Sequence, residues 1–547
     1  MLAKAAETAR VFLHRRPSLR ELWASRSPSF AQAHAILPSN AVTGEAVSLT
    51  SQVWDGYERL YPDFDGRFAV DSTDTDASLP DTIDFGGITE GYRTGDRVTF
   101  ETPGIQYVTL THGGTGERFV SNPVRVTTDE PAERTYWGDI HLHSNLSDGA
   151  GSIEKGMRFG RDVMDLDVVA YTDHDTMGFF IPPQLQRRRM RRRYFDRMKD
   201  VTSEFHDSGE FVTLFGYEWT KQPNNGGHIN VYFDDAFDEA ELFDSLDPGT
   251  DSYEKLWRRL DRWRSETGND VLTIPHHPAE AMYPFDFAAT EYDDDLAPLV
   301  EVYSQWGSSE KPGADGNPYP LAMGQGEVET PGHYVQDALA LGHRVGMIGG
   351  ADYHGPFPGH SLIHADPHLP SLAEWREDGI GWGHIWRIWN ERSYPGGLTA
   401  FRAPELTREA VFGALRNRAV YGTTQPDRIL VEFAVGDRDL ADATSEVSVP
   451  TADTPRTVAW RVAGTAPLQR VTVVKNNEPW ERVEGTDDPD APLDAYVVDG
   501  ERTDDTPITG MSFDDRGTDA DTYYLRVRQA DGGMAWAGPI WVANDGE

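Results

Sequence analysis

The sequence predicts a multidomain α/β plus β protein, in which a central α/β barrel lies between two β-sandwich-like domains. Three observations predict this fold class. The 547 residues exceed the size of one ordinary domain. Short β-rich runs occupy both ends of the chain, and strand-like and helix-like runs alternate in the middle. With 38 % apolar residues the chain has enough hydrophobic side chains to fill cores.

Residues 1–133 are predicted to form a lead-in and a first β-sandwich-like domain. The lead-in, residues 1 to about 35, is expected to be short and partly helical. Runs such as AVSLTSQVWD and GRFAVDS follow it, separated by Gly, Pro, Asp and Asn. This spacing of short strands and turn residues is typical of a small sandwich.

Residues 134–427 are predicted to form the barrel. Apolar runs such as DVVAYTDHD and VLTIPHHP are separated mostly by helical patterns, one of which has Ser152 as its candidate N-cap. Such alternation predicts a parallel sheet that closes into a barrel. Residues 355–400 interrupt the alternation and are rich in Pro, Gly, His and Trp. Long irregular insertions of this kind often serve as lids or substrate walls.

Residues 428–547 return to a β-rich pattern. The runs RILVEFAVGD, RTVAWRV, QRVTVVKNN and TYYLRVRQADGGMAWAGPIWVAN predict a second β-sandwich-like domain.

The composition of the chain limits the classes of function that are plausible. The formal net charge is −40, and of the 50 basic residues seven are Lys and 43 are Arg. A dispersed acidic excess with few lysines favours adaptation to a saline cytoplasm, where salt screens self-repulsion. The alternative is an acidic protein that binds cationic partners. Nucleic-acid binding is disfavoured because phosphate contacts need a basic surface. Without cysteine, thiolate metal sites, disulfides and Cys nucleophiles are excluded.

The sequence also predicts a soluble, cytoplasmic protein. The first residues, MLAKAAETARVFLHRRPSLRELW, contain no continuous apolar segment of the kind that marks a secretory signal. A run of about 18 apolar residues, which a membrane-spanning helix requires, is not found, so no membrane partner is expected.

Metal-binding residue types follow the predicted strands. They are His141 and His143, Asp173 and His174, Glu218, His228, His276 and His277, and Asp352 and His354. In a parallel barrel the carboxyl ends of all strands meet at one face, where active sites form. On a strand, residues i and i+2 point the same way, so the pair in H-x-H can reach one ion. Nitrogen and oxygen donors without sulfur favour Zn, Mn or Fe(II). The number of donors indicates two or three ions.

Four stretches, GDIHLHSNLSDG, YTDHD, IPHHP and GGADYH, resemble in order the motifs of the polymerase and histidinol phosphatase (PHP) superfamily. The resemblance covers roughly residues 134–427 and implies a distorted (β/α)7 barrel with a two- or three-metal site. The β-rich flanks, with LVEVYSQWGSSE and NRAVYGTT, resemble a PHP branch related to carbamate-ester hydrolases.

The resemblance implies three metal sites. His141, His143, Glu218 and Asp352 would bind one ion. Glu218 would bridge to a second ion held by His228 and His277, where His276 is the alternative to His277. Asp148, His174 and His354 would bind a third, and Asp148 stands where some members have His.

The resemblance favours a phosphoesterase that uses a metal-bridging hydroxide, with Asp352, His354 and Glu218 as catalytic residues. The substrate is then a small-molecule ester. The arginine run described below favours an anionic one, whereas the resemblance to the carbamate-hydrolase branch favours an uncharged one. Two alternatives stay open. One is a hydrolase of carboxylic or carbamate esters on the same site. The other is a non-catalytic metal-binding or scaffolding module.

Three further residues and one arginine run have less defined roles. Asp173 is expected to orient His174 rather than bind a metal itself. Glu301 and Glu310 are candidates for supporting the ligands or contacting substrate. The six arginines between residues 187 and 193 form either a solvated helix surface or a contact for an anionic substrate.

Overall fold

The computed structural model describes residues 18–323, 328–389, 393–442, 446–513 and 516–544. It is 18 % helical and 35 % strand. Part of the predicted lead-in, residues 1–17, lies outside these ranges. The rest of the lead-in contains helix α1, Leu19–Ala24, whose N-cap Ser18 and Glu21 form a reciprocal capping box.

The N-terminal region, up to residue 127, consists of three small sheets. Its strands are β1 Phe30–Ile36, β2 Asn40–Val42, β3 Ala46–Asp55, β4 Arg67–Ser72, β5 Thr82–Asp84, β6 Tyr92–Thr99, β7 Gly104–Gln106, β8 Val108–His112, β9 Arg118–Val120 and β10 Val124–Thr127. The sheet orders are β1-β3-β6, β2-β10-β7 and β5-β4-β8-β9. Apolar side chains such as Phe68, Leu110 and Val126 form a core of their own between the sheets.

The central region mixes strands and helices. Its strands are β11 Arg134–Asp139, β12 Val168–Val169, β13 Val212–Thr213, β14 Phe215–Trp219, β15 Ile229–Phe233, β16 Val271–Pro275, β17 Leu299–Ser304, β18 Gly307–Ser308, β19 Gly346–Gly349, β20 Gly397–Ala403 and β21 Val420–Thr424. Its α-helices are α2 Ile153–Arg158, α3 Pro183–Arg189, α4 Phe195–Phe205, α5 Tyr253–Thr267, α6 Val335–Ala340, α7 Leu372–Asp378, α8 Trp382–Trp389 and α9 Arg408–Arg416. Ser152 caps α2, as its sequence predicts.

The C-terminal region is again rich in strands. They are β22 Leu430–Val435, β23 Arg438–Asp439, β24 Glu446–Val449, β25 Arg456–Ala463, β26 Leu468–Lys475, β27 Glu478–Glu484, β28 Val497–Asp504, β29 Ser512–Phe513, β30 Arg516–Gly517, β31 Asp521–Gln529 and β32 Met534–Asn544. A ten-stranded sheet follows the path β13-β12-β11-β20-β21-β32-β31-β26-β27, with β24 on β32. This sheet crosses the predicted domain boundary at residue 428, and the division into domains remains a prediction.

The predicted (β/α)7 barrel is wrong. Across the described ranges the strands form separate, mostly antiparallel or mixed sheets, and no barrel closes. Strand β15 pairs antiparallel with both β14 and β16, and β20 pairs antiparallel with β11 and β21. Only residues 220–228 connect β14 to β15. A parallel neighbour needs a crossover of about a dozen residues or more, so this connection enforces the antiparallel pairing.

Isolated bridges nevertheless hold the ends of different strands together. Parallel bridges join Leu142 to Tyr353, His174 to Glu218 and His276 to Glu301. Each bridge lies beside predicted metal ligands, so the backbone itself brings these residues to one place. Within the described ranges, no helix has both the length and the apolar character needed to cross a membrane.

Candidate metal centre

The predicted ligands converge on one buried cluster. Each has at most 4 % of its surface exposed, and the cluster comprises His141, His143, Asp148, His174, Glu218, His228, His276, His277, Asp352 and His354. We call these ten residues the metal centre. Burying so many polar groups is costly unless each finds a partner.

The first group of donors is His141, His143, Glu218 and Asp352, whose candidate ligand atoms all lie within 4.8 Å of one another. His143 Nε2 is 3.0 Å from Glu218 Oε2 and 3.1 Å from Asp352 Oδ1. His141 Nε2 is 3.5 Å and 3.4 Å from the same two oxygens. The two imidazole nitrogens and two carboxylate oxygens are thus close enough together to bind a single metal ion.

A second group shares His143 and adds Asp148, His174 and His354. Asp148 Oδ1 is 3.5 Å from His174 Nε2 and 3.4 Å from His354 Nε2. Asp148 therefore occupies a central position between two imidazoles, as a shared metal would require.

A third group consists of His228, His276 and His277. The structure brings both members of the His276–His277 pair to it. Glu218 faces this group through its other oxygen, because Oε1 lies 2.6 Å from His228 Nδ1 and 3.6 Å from His276 Nε2. The two oxygens of Glu218 therefore point to different groups, which is the geometry of a bridging carboxylate.

Several polar atoms of the metal centre make no hydrogen bond of acceptable geometry with any residue that the structure describes. They include His141 Nε2, His174 Nε2, Glu218 Oε2 and both ring nitrogens of His276. Buried polar groups in folded proteins are rarely left in this state. Divalent ions at these positions would satisfy them as ligands.

Hydrogen bonds from outside the metal centre set the orientation of its rings. Glu301 Oε2 accepts from His141 Nδ1 at 2.9 Å, which leaves Nε2 directed at Glu218 and Asp352. His174 Nδ1 lies 2.8 Å from Thr220 Oγ1. Supporting contacts of this kind fix the tautomer and orientation of metal-binding histidines.

Two aromatic residues shape the region around Asp352 and His354. Trp306 donates its indole N–H to Asp352 Oδ2 at 2.7 Å. Trp386, from helix α8 of the insertion, packs edge-on against His354 with ring centroids 5.0 Å apart. The insertion thus covers this side of the metal centre.

The sequence offered no signal for Thr220 or Trp306, because neither belongs to a His or carboxylate pattern.

The protonation states suit metal binding. Burial would raise the pKa of Glu218, but the surrounding histidines, led by His174, hold it well below its ordinary value. Burial lowers the pKa of His277 to about 4. Burial would also lower the pKa of His141, but the Glu301 and Asp352 carboxylates raise it well above the ordinary value. The carboxylates of the cluster thus favour a nearby positive charge. In the absence of metal, a proton on His141 supplies it, and bound divalent ions would replace that proton.

The backbone is unusual at two of these residues. His277 has φ = 35° and Asp352 has φ = 51°, in the left-handed region that residues other than glycine seldom adopt. Non-glycine residues held in this region cost about 1–3 kcal/mol each and concentrate at functional sites. Both residues contribute a ligand atom, so the fold maintains this strain at the metal centre.

Two of the remaining predicted residues lie outside the donor groups. Asp173 accepts hydrogen bonds from the backbone and hydroxyl groups of Ser144 and Ser147, so it fixes the loop between His143 and Asp148. Glu310 is not brought to the metal centre, since its carboxylate pairs with Arg526.

The arginine run lies on α3 and the π-helical turn Met190–Tyr194 that follows it. Arg187 and Arg191 pair with the buried carboxylate of Asp244. Five of the six arginines, Arg188, Arg189, Arg191, Arg192 and Arg193, are exposed.

Comparison with known proteins assigns the chain to a family. The family described as "Protein of unknown function (DUF3604)" matches residues 157–310 and 339–487, more than half of the chain. The protein therefore belongs to the DUF3604 family. The resemblance to the polymerase and histidinol phosphatase superfamily is wrong, because the family match is to DUF3604 and the strands do not close into the barrel that the resemblance implies.

Relatives in Chlamydia share most of the chain. An uncharacterised protein of Chlamydia pneumoniae is 28 % identical over 450 residues, which cover 81 % of this chain and 63 % of the relative. An uncharacterised protein of Chlamydia trachomatis is 25 % identical over 445 residues, with the same two coverages. The chain thus spans just under two thirds of the length of these relatives.

Among solved structures, the likenesses are weak. Domains 4 and 5 of the S-layer protein SbsC align at 19 % identity over 18 % of this chain and 54 % of that one, with a TM-score of 0.15. Parabacteroides merdae β-glucuronidase aligns at 9 % identity over 95 % of this chain and 65 % of that one, with a TM-score of 0.18. Scores this low support no inference about fold or function.

Proposed function

We propose that the protein is a metal-dependent hydrolase that binds two or three divalent ions at the metal centre, with phosphoesters as the favoured substrates. The observation that carries this proposal is the position of Glu218, whose oxygens face different histidine groups at 2.6 to 3.6 Å. Sites that hold two ions close together are typical of phosphatases, nucleases and aminopeptidases.

The donor set fits the ions. It contains imidazole nitrogens and carboxylate oxygens, and the chain has no cysteine. This combination suits Zn, Mn or Fe(II) better than Mg, which prefers oxygen ligands alone. The unpaired ring nitrogens of His141, His174 and His276 have the lone pairs that such ions require.

When bound, divalent ions supply an activated water nucleophile and neutralise charge that develops on the substrate oxygens. The side chains hold this arrangement in place. Glu218 and Asp352 stay ionised because the pKa of each is held well below its ordinary value by neighbouring histidines. His354 lies 3.0 Å from the Asp352 carbonyl through Nδ1, which directs Nε2 towards Asp148. Burial of the whole cluster excludes competing bulk water.

A second candidate is hydrolysis of carboxylic or carbamate esters. The observation that favours it is the pairing of Arg187 and Arg191 with Asp244, which occupies two cations that an anionic substrate would otherwise use. An uncharged ester needs no such cation.

Elemental analysis and three chromogenic esters test the proposal. The protein is purified in high salt, and its metal content is measured beside hydrolysis of p-nitrophenyl phosphate, bis-p-nitrophenyl phosphate and p-nitrophenyl acetate. We expect two or three ions per chain and phosphoester hydrolysis that His141→Ala abolishes. His206→Ala, which alters a half-buried histidine outside the metal centre, is the matched control and should change neither result.

Other outcomes separate the alternatives. Full metal content with cleavage of the acetate ester alone would favour carboxylic or carbamate esters. Less than one ion per chain together with no hydrolysis would contradict the enzyme proposal and favour a scaffolding role.

A further inference from the structure

A cavity of about 880 Å³ lies between the N-terminal β region and the insertion. Its aromatic lining includes Trp54, Phe159, Phe357 and Trp375, and no residue of the metal centre lines it. Cavities of about 300–1,000 Å³ accommodate molecules the size of common cofactors and metabolites. The cavity is therefore large enough for a ligand of its own, separate from the hydrolytic site.

Arg387 lines this cavity and is almost completely buried, with 1 % of its surface exposed. Its Nε donates to His368 Nε2 at 2.9 Å and its Nη1 to Glu374 Oε1 at 2.6 Å. Within the part of the chain that the structure describes, its Nη2 has no hydrogen-bond partner. Leaving a buried charged donor unsatisfied is costly, so this nitrogen marks a place for an acceptor.

The other buried or half-buried charged groups of the lining have partners, whereas Arg26 and Asp63 are exposed to solvent. Arg59 pairs with Asp55 at 2.8 Å, and Glu58 pairs with His364 at 2.8 Å. Lys155 pairs with Asp378 at 2.8 Å. Among the described lining residues, the buried donor left for a ligand is thus Arg387 Nη2, and a guanidinium binds an anionic acceptor more strongly than a neutral one.

Aromatic rings surround this donor. The Arg387 guanidinium carbon is 5.8 Å from the centre of the Phe357 ring, and the Lys155 ammonium is 6.0 Å from the same centre. Trp375 is half-buried on helix α7, which also carries Glu374. Flat aromatic faces beside a cation suit a ligand with a planar ring and an acidic group.

We propose that this cavity is a second ligand site, which binds a planar aromatic anion with its acidic group on Arg387 Nη2. Helix α8 connects the two sites, because consecutive residues serve each of them. Trp386 contacts the ring of His354, and Arg387 faces the cavity. The proposal does not depend on the hydrolase proposal.

The probe for this site is 8-anilinonaphthalene-1-sulfonate, an aromatic anion with a planar naphthalene ring, whose fluorescence increases in apolar surroundings. We expect saturable binding at one site per full-length chain. Because a hydrogen bond to a charged group contributes about 1.5–3 kcal/mol, Arg387→Gln should weaken binding about tenfold or more. Trp375→Ala, which removes an aromatic wall, should weaken it as well. Both metal-loaded and chelator-treated protein should bind the probe.

Two matched controls accompany these variants. Arg376→Gln alters an exposed arginine on the same helix as Trp375, and Trp480→Ala alters a half-buried tryptophan in the C-terminal region. Neither residue lines the cavity, so both should bind as the wild type does. Thermal unfolding verifies that each variant is folded. If Arg387→Gln does not fold, the affinity of Trp375→Ala for the probe tests the proposal instead. Absent saturable binding, or wild-type affinity in the folded cavity variants, would overturn the proposal.

Discussion

Two glutamates, Glu218 and Glu310, are both completely buried, and their surroundings differ in kind. Glu310 accepts from Tyr524 at 2.6 Å, from Arg526 at 2.8 Å and from Trp536 at 2.8 Å, so both of its oxygens have donors. Glu218 lies among histidines, and its Oε2 has no hydrogen bond of acceptable geometry. The chain completes the first cluster by itself and leaves the second incomplete.

This difference shows what distinguishes a structural charge cluster from a candidate metal centre. Burial and low pKa are common to both, since neighbouring positive charge lowers the pKa of each carboxylate despite burial. What separates them is the partner. Arg526 is a permanent cation beside Glu310. The histidines around Glu218 instead offer ring nitrogens that can bind a metal cation.

The largest expected effect follows Glu218→Gln. A neutral amide cannot bridge two ions, so at least one ion per chain should be lost. If the ions contribute about 4 kcal/mol to the barrier, hydrolysis should fall about a thousandfold. Metal analysis and initial rates measure both. The exposed control Glu204→Gln should resemble the wild type. Full metal content with a wild-type rate in Glu218→Gln would show that Glu218 does not bridge two ions.

Glu310→Ala should damage stability instead of metal binding. The change leaves the half-buried Arg526 without its carboxylate, and breaking a buried ion pair typically costs about 3–5 kcal/mol. Denaturant unfolding measures this loss, with the exposed Glu478→Ala as control. Metal content per folded chain should stay unchanged, and a loss of ions in this variant would show that the two clusters are not independent.

Glu301→Gln should weaken the metal centre without destroying it. Glu301 accepts from His141 Nδ1 and so orients its ring, and removing a contact of this kind commonly weakens metal affinity about 10–100-fold. Competition with a chelator of known affinity measures the change. Unaltered affinity would mean that packing alone positions His141.

Acid should destabilise the protein partly through Glu310. Its folded pKa is held below the ordinary value of 4.5, because Arg526 and the surrounding donors outweigh burial. This group therefore contributes stability that is fully present above pH 4.5 and is lost as the pH falls towards its folded pKa. Binding of one proton changes the slope of the unfolding free energy against pH by at most about 1.4 kcal/mol per pH unit. Unfolding series between pH 6 and 3 should be less steep for Glu310→Gln, and equal slopes would exclude this contribution.

The smallest effect is expected from Arg188→Ala. This arginine is exposed, and surface substitutions of this type change stability by about 0.5 kcal/mol or less. Hydrolysis of p-nitrophenyl phosphate should change less than about twofold, because Arg188 is not part of the metal centre. A large loss of phosphoester activity would instead place the arginine run in substrate binding.

The sequence predicted individual strands better than their arrangement. The run AVSLTSQVWD is strand β3, and VLTIP begins the segment that carries His276. The barrel prediction failed because apolar runs do not encode strand direction. The connection between Trp219 and Ile229 is too short for a parallel crossover, so its length in the sequence already excluded a parallel pairing of β14 and β15.

The grouping of site residues was predictable where ligands follow strand ends. His141, His143 and Asp352 lie together because isolated bridges align those ends even without a barrel. Contacts that depend on side-chain direction were not predictable. Nothing in the pattern indicates that Trp306 reaches Asp352, or that Glu310 turns towards Arg526, which is more than 200 residues later in the chain.

The position of β32 in the large sheet has a consequence for synthesis on the ribosome. Strand β21 pairs on one side with β20 and on the other with β32, which begins at Met534. All ten residues of the metal centre precede β21, so every ligand has been synthesised before β32 can cover the second edge of that strand. An uncovered edge invites pairing with other chains. This edge of β21 therefore stays open to other chains until β32 has been synthesised, at a stage when all the metal ligands are already present.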